Sequence, residues 1–259
     1  MEDYFARHVI RLGSGQPMLL LHGVGHRKEA WDPVLAALGD RYDVVAIDLP
    51  GFGGAPELPS APDDHALADW CEQVMDEMGW HTAHIVGNSM GGLIALRLGG
   101  RGRARSVTAI SPVGQIQGWE RHWANALLSA VRMLGPWLAR VPWFSDSATR
   151  RRLALSTIFG RPERMNPAYA RLSMEGLGLA TAFRDTFQAL DLHAQDVKPI
   201  EVPVTIAWGS RDRLLLPRQG LRWSRALPGS RLVTLPGLGH TPMPDDPDMV
   251  AEVIARTAG

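Results

Sequence analysis

The hexapeptide Gly87-Asn88-Ser89-Met90-Gly91-Gly92 decides the fold prediction for this chain. It follows the apolar run Ala83–Val86 and precedes the apolar, helix-like run Leu93–Leu98. A serine in this setting forms a G-x-S-x-G turn between a strand and a helix, which holds the hydroxyl out in a strained backbone conformation. Gly87 and Gly91 are required because side chains there would collide as the helix turns back over the strand. The pattern predicts a nucleophilic serine at the end of a buried strand.

Two further residues lie where a serine nucleophile needs partners. A serine hydroxyl is too weakly acidic to ionise alone at neutral pH, so it needs a base, and the base needs a group that fixes its tautomer. Asp212 follows the predicted strand Val204–Trp208, and His240 follows the predicted strand Arg231–Leu235. The carboxyl ends of parallel strands share one edge of a sheet, where ligands bind. We predict Ser89 as nucleophile, His240 as general base and Asp212 as the acid that orients the histidine.

A tetrahedral intermediate at the serine requires preorganised N–H donors for its oxyanion. One is expected from the backbone of Met90, the residue after the nucleophile. The other is expected from Val24, in the turn His22-Gly23-Val24-Gly25 that follows the predicted strand Met18–Leu21. Both donors are main-chain groups, so their backbone positions matter more than their side chains.

The composition limits the classes of function. The 27 basic and 27 acidic side chains cancel, so no net field favours a phosphate backbone or anionic lipid, and nucleic-acid binding is not expected. A small, weakly charged substrate is favoured instead. The single cysteine, Cys71, excludes an internal disulfide and favours a cytoplasmic location. Its place in a helical apolar pattern predicts a core residue and not a nucleophile.

Neither export nor membrane insertion is expected. The stretch Met1–Arg11 has no basic region followed by an apolar run, so it does not resemble a signal peptide. The most apolar stretch, Ala124–Leu138, is interrupted by Arg132, Gly135 and Pro136, so no transmembrane segment is predicted. The sequence leaves the oligomeric state, including a homodimer, undecided.

Short apolar runs alternate with amphipathic stretches, which is typical of an α/β fold with a mostly parallel central sheet flanked by helices. The predicted strands are Ala6–Leu12, Met18–His22, Val44–Ile47, Ala83–Val86, Val107–Ile110, Val204–Trp208 and Arg231–Leu235. The predicted helices of this core are Glu29–Leu38, Asp64–Met78, Gly91–Leu98, Arg218–Ala226 and Pro247–Ala255.

Residues 113–199 contain helical patterns and no clear strand, so we predict a helical cap inserted between core segments 1–112 and 200–259. Asp191 and Asp196 are weaker candidates for the acid. Both fall inside or at the end of this insertion, away from any strand end, and are interpreted as surface or capping charges. One broad apolar helix face is predicted to cover the carboxyl ends of the strands. Docking of this face on a membrane surface is the alternative. The residues of this face are Trp119, Trp123, Leu127, Val131, Leu134, Trp137 and Leu138.

These motifs, with His22-Gly23, Asp48–Gly53 and Gly239-His240, resemble the α/β-hydrolase superfamily along the whole chain. The resemblance implies hydrolysis of an ester, thioester, amide or activated C–C bond through an acyl-enzyme. A serine in place of an aspartate nucleophile argues against haloalkane dehalogenase and epoxide hydrolase chemistry, which needs an alkyl-enzyme ester. The string Asn88–Gly92 is similar to that of meta-cleavage-product hydrolases, but those usually carry an aromatic residue where this chain has Thr241. Perhydrolase activity is a further family alternative that the sequence does not decide.

Other constellations give weaker signals. His81 and His84 flank the start of a predicted strand without a suitable third ligand, so no metal site is predicted. His26 is interpreted as a solvated turn residue. The glycines at 51, 53 and 54 lack a nucleotide-binding pattern, and no cofactor is expected.

The sequence therefore predicts a serine hydrolase that acts on a carboxylic ester, thioester or lactone with an apolar acyl or aryl part. The alternatives are a C–C bond hydrolase of the meta-cleavage-product type and a non-catalytic small-molecule receptor on the same fold.

Overall fold

The computed structural model describes residues 1–60, 62–194 and 196–259. Within these ranges seven strands form one sheet: β1 (Val9–Leu12), β2 (Gln16–Leu21), β3 (Tyr42–Ile47), β4 (Ala83–Asn88), β5 (Ala104–Ile110), β6 (Val204–Gly209) and β7 (Arg231–Leu235). Their order across the sheet is β1-β3-β2-β4-β5-β6-β7. β1 runs antiparallel to β3, and every other neighbouring pair is parallel. The α/β class and the mostly parallel sheet predicted from the sequence are confirmed.

Helices flank and follow these strands. In the described residues they are α1 (Glu2–His8), α2 (Asp32–Gly39), α3 (Asp64–Glu77), α4 (Met90–Gly100), α5 (Glu120–Ala139), α6 (Pro142–Ser145), α7 (Ala148–Leu155), α8 (Pro167–Gly178), α9 (Phe183–Ala189), α10 (Arg218–Ala226) and α11 (Pro247–Ala258). Two short 3₁₀ segments, Lys28–Trp31 and Pro162–Arg164, complete the set.

The two faces of the sheet pack against different helices. Alternate side chains of a strand point to opposite faces. Accordingly, Leu19 and Leu21 of β2 belong to the core that includes α3 and α4, whereas Met18 and Leu20 belong to the core that includes α2 and α11. Every residue of β3, β4 and β6 is buried, as expected for parallel strands covered on both faces.

The first strand is shorter than predicted. The sequence prediction began it at Ala6, but residues Glu2–His8 form a helix and the strand starts at Val9. Acidic residues in the first turn of this helix and basic residues in the last turn suit the helix dipole. The Tyr4 hydroxyl donates a hydrogen bond to the carbonyl of Asp48, at 2.8 Å, and fixes the helix on the edge of the sheet.

The predicted helix Glu29–Leu38 is divided into the 3₁₀ segment Lys28–Trp31 and α2. Pro33, in the first turn of α2, has no N–H to donate to a preceding turn, so a new helix begins there. The other predicted core elements differ from the observed ones by at most three residues at an end.

Helices α5 to α9 lie between β5 and β6, in the segment predicted as the cap. The division at residues 112/113 and 199/200 into core and cap stays a prediction. The expected packing of the apolar face of α5 is only partly correct, because periodicity does not tell which side of a stripe meets the core. Ala124 and Leu128 are buried, while Leu127 and Val131 are half-buried. The exposed members of the predicted face are Trp119, Trp123, Leu134 and Trp137; the side chain of Leu138 lies outside the described residues.

Candidate active site

Ser89 occupies the turn between β4 and α4. Its backbone has φ 57° and ψ −115°, a conformation that costs a residue with a side chain about 1 to 3 kcal/mol. The turn is tight on both sides: a Cβ on Gly87 would overlap the carbonyl of Gly91, and a Cβ on Gly91 would overlap the carbonyl of Leu21. The predicted requirement for glycine therefore has a direct steric cause, and Ser89 lies at the N-terminus of α4.

His240 and Asp212 form a buried pair. Nδ1 of His240 lies 2.8 Å from Oδ2 of Asp212, and both side chains are at most 5% exposed. Oδ1 of Asp212 accepts hydrogen bonds from the backbone N–H groups of Leu214 and Leu215, at 3.0 and 2.9 Å. Because the carboxylate can only accept, the proton of a neutral imidazole stands on Nδ1 and the lone pair on Nε2.

Ser89 and His240 line one small cavity of about 20 Å³, which is room for about one water molecule. Gly23 and Val24 also line it, so the residue predicted as an oxyanion donor lies beside the serine. The backbone N–H groups of Val24 and Met90 donate to no acceptor within the described part of the chain. The remaining walls are mainly apolar and come from Leu128, Val131, Ile158, Met174, Leu177 and Leu214.

The turn that carries Val24 is held by His22. Nε2 of His22 accepts the backbone N–H of Leu49 at 3.0 Å, and Nδ1 lies 2.8 Å from the carbonyl of Gly23. This pair of contacts requires a neutral ring with its proton on Nδ1. Burial lowers the pKa of His22 and keeps the ring neutral.

Asn88 connects the serine turn with the histidine loop. Its side-chain amide donates to the carbonyls of Ile110 and His240, at 3.2 and 2.9 Å. Its Oδ1 lies 3.5 Å from the hydroxyl of Thr241. The residue before the predicted nucleophile thus fixes the backbone of the predicted base, a role that the motif alone does not specify.

Asp245 fastens the cap segment to the same loop. Its buried carboxylate accepts backbone N–H bonds from Gly160, Arg161 and Gly239, at 2.7, 2.8 and 2.8 Å. The backbone N–H of His240 in turn donates to the carbonyl of Ile158 at 2.7 Å. The position of the histidine therefore depends on the cap as well as on β7.

His26 departs from its predicted place. The sequence analysis treated it as a solvated turn residue, but it is half-buried and lines the cavity with Ser89. Burial first, and then the nearby His22 and His240, lower the pKa of His26 to about 3. The ring is therefore neutral at physiological pH and offers a hydrogen-bonding group to the cavity. Only its closeness in sequence to the oxyanion turn could have indicated this.

Residues of the predicted cap contribute most of the apolar walls, but not through the predicted tryptophans. None of Trp119, Trp123 or Trp137 lines the cavity. A second cavity of about 140 Å³ adjoins it and shares the walls Val131, Ile158 and Met174. These three side chains separate the serine from an apolar space between α5, α7 and α8.

The other sequence candidates have structural partners. Asp191 and Asp196 both pair with the buried Arg97. This agrees in part with their interpretation as surface or capping charges. β4 begins at Ala83, so His81 and His84 flank its start as predicted, and the ring of His84 contacts Ser106 and Gln16. Cys71 is fully buried, as predicted. No group of three or more potential metal ligands occurs among the described residues.

Within the described residues, no helix is long and apolar enough to span a membrane.

Comparison with known proteins places the chain in a family. The chain is 33% identical over 217 residues to the epoxide hydrolase EphH of Mycobacterium tuberculosis, a match that covers 73% of this chain and 91% of that protein. It is 29% identical over 238 residues to the dihydrolipoyllysine-residue acetyltransferase component of the acetoin cleaving system of Cupriavidus necator, which covers 90% of this chain and 61% of that longer protein.

Two solved structures share the fold of this chain. A bacterial membrane phospholipase A superposes with a TM-score of 0.73 at 25% identity, over 96% of this chain and 81% of that one. The enol-lactonase of Burkholderia xenovorans LB400 superposes with a TM-score of 0.75 at 21% identity, over 96% and 95%. Residues 18–253 match the sequence pattern of the Alpha/beta hydrolase family. The chain is a member of the alpha/beta hydrolase family.

Proposed function

We propose that this hydrolase cleaves a carboxylic ester, thioester or lactone with an apolar acyl part, through a covalent intermediate on Ser89. The observation that carries the proposal is a small, mainly apolar cavity lined by both Ser89 and His240, whose Nδ1 lies 2.8 Å from Oδ2 of Asp212. A nucleophile, a base and an orienting acid in one buried site are the parts that acyl transfer by serine needs.

The proposed acyl transfer follows from the tautomer of His240. With its proton on Nδ1, His240 has its Nε2 lone pair available to take the proton of the Ser89 hydroxyl as the oxygen attacks the substrate carbonyl. The backbone N–H groups of Val24 and Met90 are the donors for the oxyanion, each worth about 2.7 to 4 kcal/mol of transition-state stabilisation. The imidazolium, stabilised by Asp212, then protonates the leaving group. Water attacks the acyl-enzyme by the same route and releases the acid.

The walls support an apolar acyl group. They present leucine, valine, isoleucine and methionine side chains next to the serine. The cavity of about 20 Å³ holds only a small group, and Val131, Ile158 and Met174 separate it from the adjoining apolar cavity of about 140 Å³. Binding a charged acyl group there would require its desolvation without an ionic partner.

Epoxide opening is a second candidate because of the 33% identity to an epoxide hydrolase. Attack by a serine hydroxyl on an epoxide would form an ether, which has no carbonyl for water to attack. The residue at the turn here is Ser89 and not a carboxylate. The ester proposal therefore fits the nucleophile better, and turnover of styrene oxide would favour the rival. The C–C hydrolase alternative rests on motif similarity and on the fold shared with a solved meta-cleavage product hydrolase.

A series of p-nitrophenyl esters from acetate to decanoate, with styrene oxide as the comparison substrate, tests the proposal. We expect turnover of the neutral esters with an optimum at short to medium acyl length, and none of the epoxide. Failure to hydrolyse any ester, together with reversible binding of apolar molecules, would instead support a receptor.

A further inference from the structure

A larger concave region than the two cavities described above lies on the outer side of the acid loop. Its volume is about 710 Å³, and its walls come from α7, the segment 159–164 and the loop 211–213. We call it the arginine cleft, after five of its lining residues: Arg152, Arg161, Arg164, Arg211 and Arg213. Its acidic wall residue is Glu163. Arginines from three separate chain segments therefore face one space.

Most of these arginines lack an acidic partner. Arg161 pairs with Asp246 at 2.9 Å, whereas the other four form no ion pair within the described part of the chain. Arg211 and Arg213 donate only to the carbonyl of Gly160 and the hydroxyl of Ser156, both at 3.2 Å. Several of their N–H groups remain available to the cleft.

Several arginines elsewhere in the protein pair with carboxylates. Arg97 pairs with Asp64, and Arg218 and Arg222 both pair with the buried Glu120. The chain has equal numbers of basic and acidic residues, so the shortage of carboxylates in the arginine cleft is local. Like charges in a concave surface reinforce one another and create a strong positive potential there.

We propose that the arginine cleft binds a phosphate or diphosphate group. Guanidinium groups match phosphate oxygens through paired hydrogen bonds, and a multiply charged anion can satisfy several of them at once. A single carboxylate would use only one or two. The exposed side chain of Leu153 offers an apolar contact to the body of the molecule that carries the phosphate.

The arginine cleft is connected with the proposed active site through its walls. Arg211 and Arg213 flank Asp212, and Phe159 and Gly160 follow Ile158, which lines the serine cavity. An anion held between these segments would join the acid loop to the cap by additional bonds. Under this proposal the site serves either a phosphate carried by the substrate or a free phosphate that joins the two segments.

Isothermal titration with inorganic pyrophosphate, at constant ionic strength, tests the site without requiring catalysis. The double variant Arg152→Gln/Arg164→Gln removes two exposed, unpaired charges and leaves the residues next to Asp212 intact. Arg225→Gln, on the exposed side of α10, is the matched control. We expect the double variant to bind at least tenfold more weakly than the wild type, and the control to bind equally. Equal affinity in all three proteins, or equal loss in both variants, would overturn the proposal.

Two substrates distinguish the sources of the phosphate. If the substrate carries the phosphate, the double variant should raise KM at least tenfold for butyryl-coenzyme A, because the coenzyme A part of this thioester contains a diphosphate. The KM for p-nitrophenyl butyrate should not change. If the phosphate is a free ligand, pyrophosphate should change turnover of the neutral ester in the wild type and not in the double variant. If the wild type binds pyrophosphate but hydrolyses neither ester nor thioester, the proposed function is rejected and the proposal for the arginine cleft is not.

Discussion

Asp212 uses both carboxylate oxygens, one for His240 and one for two backbone N–H groups. In Asp212→Asn one of these oxygens becomes an amide donor, so either the loop or the histidine loses its acceptor. We expect kcat for a p-nitrophenyl ester to fall by roughly 10⁴, because the histidine would favour the wrong tautomer. Asp191→Asn, which alters the rival acid, should keep at least half of the wild-type kcat. The reverse ranking of the two variants would assign the acid to Asp191.

Each of the residues that we propose as catalytic carries a local signal in the sequence. Ser89 lies in a motif with a strict steric requirement, and Asp212 and His240 follow strands. The residues that support them could not be predicted in the same way. Asn88 reaches the histidine loop across 152 positions, and His26 enters the cavity only because the turn folds back.

Asp245 is expected to control the geometry of the element that carries the histidine. Its charge is stabilised by three backbone N–H groups, whereas burial raises its pKa. Asp245→Asn would turn one acceptor into a donor that faces N–H groups, so the cap segment should separate from the loop. We predict a 10- to 100-fold loss of kcat and a decrease of about 1 to 3 kcal/mol in the free energy of unfolding.

Kinetics and urea unfolding of Asp245→Asn test this role, with the exposed neighbour Asp248→Asn as control. Unchanged kcat in Asp245→Asn would show that the loop holds the histidine without the cap.

Met174 on α8 separates the serine cavity from the adjoining apolar cavity of about 140 Å³. Met174→Ala should join the two spaces and move the preferred acyl length of p-nitrophenyl esters to longer chains. The ratio of kcat/KM for octanoate to that for butyrate should rise at least fivefold. Loss of a buried methionine also costs about 2 to 5 kcal/mol of stability, so thermal unfolding is measured in parallel.

Leu179→Ala, at the exposed end of the same helix, is the control for this change. An unchanged ratio in folded Met174→Ala would place the acyl group elsewhere.

Element types in the core followed from the sequence, because apolar runs and helical stripes are local patterns. The docking of the cap did not. Trp123 and Trp137 are exposed on α5, while Leu128 and Val131 of the same helix line the serine cavity, and the choice between these positions depends on contacts with distant segments.

At the scale of the whole molecule, buried histidines determine how stability depends on pH. Burial lowers the pKa of His26 to about 3, and it also lowers that of His22. The unfolded chain takes up protons near the ordinary histidine pKa of about 6.5, while the folded protein does not. Stability is therefore complete above about pH 6.5 and decreases as the pH falls below it, by at most about 1.4 kcal/mol per pH unit for each histidine.

Urea unfolding at pH 7.5 and pH 5 tests this prediction. We expect the wild type to lose more stability between these values than His26→Asn, and the exposed His193→Asn to behave like the wild type. A loss that is the same in all three proteins would remove His26 from the account.

The proposed serine chemistry is tested most directly by labelling with a fluorophosphonate, followed by intact-mass measurement and peptide mapping. The account predicts one adduct, on Ser89, in the wild type, no adduct in folded Ser89→Ala, and loss of ester hydrolysis in parallel with labelling. A wild-type protein that remains unlabelled at pH 8, or a label that persists in Ser89→Ala, would contradict the assignment of Ser89 as the nucleophile.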